Sequence, residues 1–230
     1  HGLEKVDTAG ATPSSRHVHG PRISIDCRTG KIMPPPVPWN LDDAKMATRF
    51  AFFVAALGLT TLLGVAVRAN HLSHPMRYDE SYNYLHYVSQ GPRHIVTHYV
   101  PNNHILHTLS VWAVGRIAGH SPAALRIPAF LAGILLIPAT AWLAWTLSRR
   151  MSVALLSGLA VCCSSALIEY SVNARGYSML ALFAVFAALA LLHALQQPQR
   201  RWRWIAWGMI GAAGMYTIPI MAMPVLGMTA

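Results

Sequence analysis

The residues of this sequence best placed to carry out chemistry are the adjacent carboxylates Asp79 and Glu80. The chain of 230 residues has only eight acidic residues, and these two follow its first long apolar run. A carboxylate there could take a proton from an acceptor hydroxyl or hold a divalent cation. The alternative is structural, with Asp79 as the N-cap of a helix over residues 80–90 and Glu80 as a first-turn charge that the helix dipole favours. Both interpretations stay open at this point.

The composition predicts a polytopic membrane protein. Hydrophobic residues make up 54% of the chain and charged residues only 11%, whereas about 25% charged residues is usual for a soluble domain. The formal charge of +10 comes from basic residues that lie mainly at the ends of apolar runs. There they set orientation and meet anionic headgroups of the lipid bilayer. They do not form one basic face, so the sequence argues against a nucleic-acid partner.

Five apolar runs are long enough to cross a bilayer, namely residues 50–67, 127–147, 151–168, 177–195 and 204–227. Pro219 and Pro224 predict a kink in the last of them. We therefore expect an all-α fold with about five transmembrane helices. Residues 1–47 are expected to form a flexible amino-terminal extension. Residues 48–230 are expected to form a transmembrane module, which we expect to be truncated at its carboxy end because the last run almost reaches Ala230.

Basic residues predict the orientation of the spans. Lys45 and Arg49 precede the first run and favour a cytoplasmic amino terminus in the cell membrane. The short basic loops at residues 148–150 and 200–203 should also be cytoplasmic. Both loops reach the cytoplasm only if residues 104–118 do not cross the bilayer.

Residues 104–118 are therefore expected to form an interfacial helix, with Trp112 and its histidines at headgroup level. Two external loops result, residues 68–126 and residues 169–176. The acidic pair and Arg175 then face the same, external or periplasmic, side of the membrane.

Arg175 is the best candidate to bind a lipid-linked phosphate, because a guanidinium can donate two parallel hydrogen bonds to phosphate oxygens. The alternative is an arginine that extends to the membrane surface. Arg126 is a similar but weaker candidate. Tyr82 and Tyr177 could stack on a sugar, although tyrosines are also common at membrane interfaces.

Eight histidines fall in the first external loop, and His104 and His107 are the pair to consider as ligands, because a separation of three residues would place them on one helical face. No HExxH motif is present in the sequence. Histidines in contact with solvent or headgroups are a better interpretation than zinc ligands.

Several short motifs occur in an order that resembles a known family. These are Asp79-Glu80, Pro101-Asn102-Asn103-His104, Leu125-Arg126-Ile127-Pro128, Glu169-Tyr170 and Ala174-Arg175-Gly176-Tyr177. Over residues 48–228 the chain resembles the amino-terminal part of membrane glycosyltransferases of the GT-C fold, in the protein O-mannosyltransferase or aminoarabinose transferase-like group.

The resemblance implies transfer of a sugar from a polyprenyl-phosphate donor to an acceptor hydroxyl of a protein, lipid or glycan at the external face. Asp79 would be the general base or a metal-associated carboxylate, and Glu80 would position the base or the acceptor. A divalent cation such as Mg or Mn would be held by Asp79 and Glu169. The substrate-binding residues would be Arg175, Tyr177, Tyr82, Asn102, Asn103, His104 and Arg126.

Two other functions are open. A transporter would be expected to carry ionisable residues or matching broken helices within its spans, whereas the charges here cluster in the external loops. The chain could also be a non-catalytic membrane remnant or scaffold.

Overall fold

The computed structural model describes residues 41–229 and two short strands, β1 (Ser24–Ile25) and β2 (Ile32–Met33). The strands pair antiparallel, with Ser24 opposite Met33. Contacts divide the chain into two compact units, residues 1–47 and 48–230. Most of the predicted extension lies outside the described residues.

The second unit is helical. A π-helical turn over Tyr84–Val88 follows the second helix, and a 3₁₀ turn over Pro219–Met221 follows the ninth. The α-helices are α1 (Leu41–Ala69), α2 (Tyr78–Asn83), α3 (Pro92–Thr97), α4 (Ile105–Ala118), α5 (Pro122–Ser148), α6 (Met151–Cys163), α7 (Ser165–Ser171), α8 (Tyr177–Gln196), α9 (Arg201–Thr217) and α10 (Ala222–Gly227).

Residues 41–229 form a polytopic helical membrane protein, as the apolar runs predict. Helices α1, α5 and α8 are each long and apolar enough to cross a membrane. Helices α6 and α7 meet at a bend of 62° and could form a fourth span together. Length and composition thus give three or four candidate spans among the described residues, where five were expected.

The expected fifth span is not one continuous helix. Helix α9 ends at Thr217 after 17 residues. Pro219 follows closely, and a proline disfavours helical backbone in the residue before it. The predicted kink is therefore a complete break, followed by the 3₁₀ turn and α10.

Helix α5 lies at the centre of the second unit and contacts α4, α6, α7 and α8. It begins where Pro122 occupies the first turn and the hydroxyl of Ser121 accepts a hydrogen bond from the Ala124 amide at 3.2 Å. Its buried face includes Leu136 and Ile137, which pack in one core cluster with side chains of α6 and α8.

A buried arginine stabilises the bend between α6 and α7. The guanidinium of Arg68, fully buried at the end of α1, donates to the carbonyl oxygens of Val161 and Cys162 at 3.1 and 3.2 Å. These carbonyls lie in the last turn of α6, where no further helical amide reaches them. Ser164 then begins α7, its hydroxyl accepting from the Leu167 amide at 3.5 Å.

The first loop differs from expectation in two details. Helix α2 begins earlier than predicted, so its N-cap is Arg77, and the interpretation of Asp79 as the N-cap is wrong. Helix α4 is short and apolar, but His104 is only 4% exposed and His107 is fully buried. The two histidines therefore lie inside the protein and do not contact headgroups.

Candidate active site

The two predicted chemical stretches come together in the structure. The Arg175 Nε atom lies 4.0 Å from Oδ2 of Asp79. The same carboxylate oxygen accepts from Nδ2 of Asn173 at 3.5 Å. Helix α2 and the loop between α7 and α8 thus form one site, although more than ninety residues of chain separate them.

Glu80 has a different environment from its neighbour. Its side chain is completely buried, and each carboxylate oxygen accepts two hydrogen bonds. Oε1 accepts from Arg126 Nε at 2.8 Å and from the Ala174 amide at 2.6 Å. Oε2 accepts from Arg126 Nη2 at 2.6 Å and from the Arg77 amide at 2.8 Å. Glu80 therefore joins α2, the start of α5 and the loop that carries Arg175.

These contacts keep Glu80 ionised. Burial by itself would raise the pKa of the carboxyl group, but the hydrogen bonds from Arg126, Arg77 and Ala174 outweigh it and lower the pKa below its ordinary value. The side chain of Asp79 is 44% exposed, and within residues 41–229 it makes only the two longer contacts. Of the acidic pair, one carboxylate is fixed and the other is accessible.

The guanidinium of Arg126 uses all of its nitrogens in its buried contacts with Glu80 and the first loop, and we call this group of contacts the anchor. Besides Glu80 it donates to four backbone carbonyls of the α1–α2 connection at 2.8–3.3 Å, those of His71, Leu72, His74 and Pro75. Its role in the structure is to hold that connection against α5, and none of its three nitrogens is left without a partner.

Arg175 is buried, with 4% of its surface exposed, so it does not extend to the membrane surface. Its Nη2 donates to Oδ1 of Asn102 at 2.6 Å. Nε and Nη1 have no hydrogen-bond partner in the described part of the chain. A buried guanidinium with two unused donors can bind an anionic group strongly, because the donors are already desolvated.

Aromatic rings surround both sides of the site. The Tyr177 ring lies 5.9 Å below the guanidinium carbon of Arg175 and packs against His104 and Tyr170, with centroids 5.1 and 4.9 Å apart. Tyr82 belongs to a different group on α2 and packs against His86 at 4.1 Å. The two predicted sugar-stacking tyrosines are thus in separate clusters.

Asn102 and Asn103 are adjacent but have different partners. Asn102 binds Arg175, whereas the side-chain amide of Asn103 donates to the carbonyls of Ile95 and His98 at 2.8 and 2.9 Å. Asn103 therefore closes the turn after α3.

The predicted metal ligands, Asp79 and Glu169, are not accompanied by a third. In residues 41–229, no group of three or more His, Cys, Asp and Glu side chains is arranged to hold a metal ion. The Glu169 carboxylate is paired with the guanidinium of Arg77, and both side chains are about half exposed. Binding of a divalent cation by Asp79 and Glu169 stays a prediction.

Two contacts of the site could not be found from residue types. The Ala174 amide donates to Glu80, and a backbone donor leaves no signal in the sequence. Asn173, which contacts Asp79, has a common polar side chain, and its only signal in the sequence is its position two residues before Arg175.

A cavity of about 290 Å³ lies beside this anchor, lined by Arg77, Arg126 and Glu169 among others. Neither Asp79 nor Arg175 lines it. This cavity is therefore separate from the Asp79–Arg175 contact.

Residues 106–215 match the family model of dolichyl-phosphate-mannose-protein mannosyltransferase. The predicted resemblance to GT-C glycosyltransferases is confirmed. The matched mannosyltransferase segment contains Arg126, Glu169, Arg175 and Tyr177, whereas Asp79 and Glu80 precede it. No curated protein and no solved structure matches the chain.

The family match supports, in general terms, a glycosyltransferase that moves mannose from a lipid-linked donor to protein. The match depends on the amino-acid sequence from α4 to α9 and is independent of the geometry of the site. The contact between Arg175 within the matched segment and Asp79 outside it extends the candidate site to the first loop.

Proposed function

We propose that this chain transfers a mannosyl group from a polyprenyl-phosphate donor to a hydroxyl group of a protein acceptor, at the external face of the cell membrane. Asp79 is the general base and Arg175 binds the phosphate of the donor. The observation that carries the proposal is the buried Arg175 guanidinium, with two unused donors, 4.0 Å from a half-exposed carboxylate.

The chemistry follows from these two groups. The acceptor oxygen attacks the anomeric carbon while the bond from that carbon to the phosphate oxygen breaks. The bonding electrons leave with the phosphate, whose added negative charge Arg175 stabilises. The hydroxyl proton passes to Asp79. The products are the glycosylated acceptor and the polyprenyl phosphate.

The spacing of the pair implies a movement on substrate binding. In inverting glycosidases the two catalytic carboxyl groups are roughly 6.5–9.5 Å apart, which leaves room for the attacking water. At 4.0 Å, Asp79 and Arg175 leave no room for a sugar. Asp79 can move because its contacts are long and its side chain is half exposed, whereas Glu80 cannot. In the substrate-free protein Asp79 balances the charge of Arg175, and the donor phosphate takes over that role.

The order of the candidate spans supports an external position for the site. Lys45 and Arg49 favour a cytoplasmic start for α1. If α1, α5, the bent pair α6–α7 and α8 each cross once, the α1–α5 connection and residues 172–176 share the opposite side. The Asp79–Arg175 contact is in keeping with this arrangement, since loops on opposite faces could not touch.

The test is a transfer assay with dolichyl-phosphate-mannose and a peptide rich in serine and threonine, using membranes that contain the full chain. Asp79→Asn removes the base and should abolish mannosylated peptide in protein that still unfolds in a cooperative thermal transition. Asp42→Asn, at the start of α1, removes the same charge and should leave transfer unchanged. Transfer by Asp79→Asn at the unsubstituted rate would refute Asp79 as the base, and no transfer by the unsubstituted chain would refute the function.

A further inference from the structure

Three helix ends meet at Gly176, directly after Arg175. A methyl group on Gly176 would lie 2.9 Å from Cγ2 of Thr217, at the end of α9, and 3.1 Å from Cβ of His104, before α4. These distances are shorter than van der Waals contact allows, so the start of α8 approaches both partners as closely as a glycine permits. His104 is 4% exposed and Thr217 is fully buried.

The hydrogen bond between His104 and Gly176 has a defined direction. The Gly176 amide donates to Nδ1 of His104 at 3.0 Å. Because Nδ1 is the acceptor, the neutral ring carries its proton on Nε2. The same ring packs edge-on against Tyr177, over which the Arg175 guanidinium lies. His104 thus contacts the residues that follow Arg175 and reaches the guanidinium only through them.

We propose that His104 is the positioning residue for Arg175: its Nδ1 holds the Gly176 amide and thereby sets the direction of the guanidinium. His104 itself does not touch the substrate. The role rests on the proposed function, because the direction of Arg175 matters if the guanidinium binds the donor phosphate.

The surroundings of His104 keep Nδ1 available as an acceptor. Burial, followed by the charge of Arg175, lowers the pKa of His104 to about 4. On the next turn of α4, burial, with smaller contributions from His104 and Arg175, lowers the pKa of His107 to about 3. Tyr177 is the other titratable side chain in contact, and Thr217 from α9 carries no charge. Between pH 5 and 8 the ring stays neutral, and the contact should hold throughout.

The experiment compares two substitutions at one position in the full chain, reconstituted in lipid nanodiscs. His104→Asn places a side-chain oxygen near the position of Nδ1 and keeps the acceptor. His104→Leu keeps a side chain of apolar volume but removes the acceptor. The probe is dolichyl phosphate, and its Kd is measured together with kcat and KM for dolichyl-phosphate-mannose.

Loss of a buried hydrogen bond of this kind is expected to weaken probe binding about tenfold. His104→Leu should raise Kd and the donor KM by that factor with a smaller change in kcat, and His104→Asn should stay near the unsubstituted value. Equal values for His104→Leu and the unsubstituted chain, or equal losses in both variants, would overturn the proposal. If His104→Leu does not fold, His104→Gln replaces it, because its oxygen lies beyond the position of Nδ1.

A second measurement does not depend on transfer. In ¹⁵N-histidine spectra of the full chain, Nδ1 of His104 should have the shift of an unprotonated ring nitrogen from pH 8 to pH 5. Exchange of the Gly176 amide with deuterium should be slow, and faster in His104→Leu. A protonated Nδ1 would refute the positioning role even in an active enzyme. If the unsubstituted chain neither transfers mannose nor binds dolichyl phosphate, the proposed function fails, and these spectra alone decide whether His104 holds Gly176.

Discussion

The carboxylate of Glu80 and the guanidinium of Arg126 form a bidentate salt bridge, with Nε 2.8 Å from Oε1 and Nη2 2.6 Å from Oε2. Both side chains are almost completely buried. The pair joins the first loop to the start of α5, and the Ala174 amide adds the loop that carries Arg175. The position of Asp79 relative to Arg175 therefore depends on its neighbour Glu80.

Glu80→Gln should destabilise the protein strongly. Glutamine removes the negative charge and leaves the Arg126 guanidinium buried without a counter-ion, which costs about 3–5 kcal/mol in buried pairs. The thermal denaturation midpoint in detergent should fall accordingly. Glu169→Gln is the matched control, because it removes an exposed partner of Arg77 and should cost no more than about 1 kcal/mol. Similar midpoints for the two variants would show that the buried pair is not an anchor.

The same pair predicts a pH dependence of stability. Hydrogen bonding lowers the pKa of Glu80 in the folded protein, while in the unfolded chain it returns to about 4.3. The stabilisation is therefore fully present above about pH 4.3 and is lost as the pH falls from there through the lower folded-state pKa. Denaturation midpoints between pH 7 and pH 3 should fall at the acid end, and the fall should be smaller for Glu80→Gln. An equal fall in both proteins would assign the acid sensitivity to other carboxylates.

The general architecture follows from simple features of the sequence. The apolar runs predict the three candidate spans α1, α5 and α8 and the bent pair α6–α7, because about 20 apolar residues leave few alternatives to a membrane helix. Counting basic loops placed Asp79 and Arg175 on one face, and the structure brings them to 4.0 Å. Both inferences use the hydrophobicity and charge of whole segments, which can be read from a single sequence.

The division of roles between Asp79 and Glu80 could not be predicted. The two acids are adjacent and chemically alike, and only the partners from α5 and from residue 174 make Glu80 the buried one. The buried position of Arg68 could not be predicted either, since an arginine at the end of an apolar run normally marks a membrane boundary. Its contacts with α6 depend on a bend that the continuous run of residues 151–168 did not reveal.

Arg68→Met should destabilise the bend between α6 and α7. Methionine keeps an unbranched apolar stem but has no donors, so the carbonyls of Val161 and Cys162 lose their partner, and each unsatisfied buried group costs about 1–3 kcal/mol. The denaturation midpoint should drop, and amide exchange in α6 and α7 should become faster. Arg116→Met, at an exposed position of α4, provides the comparison. Unchanged exchange in α6 and α7 would contradict a capping role for Arg68.

Gly133→Ala should separate α5 from α7. A methyl group at this position would overlap Oγ of Ser171 and lie 2.6 Å from its Cβ, which only movement of a helix can relieve. Overpacking of this kind costs about 1–3 kcal/mol. Gly58→Ala in α1 is the control, because nothing lies within 4 Å of the added methyl, and alanine there should stabilise the helix by about 0.5–1 kcal/mol. Since α7 leads directly into the loop that carries Arg175, mannose transfer should fall in Gly133→Ala and not in Gly58→Ala. Equal denaturation midpoints and transfer rates for the two variants would mean that the close approach of Ser171 to α5 does not determine where Arg175 lies.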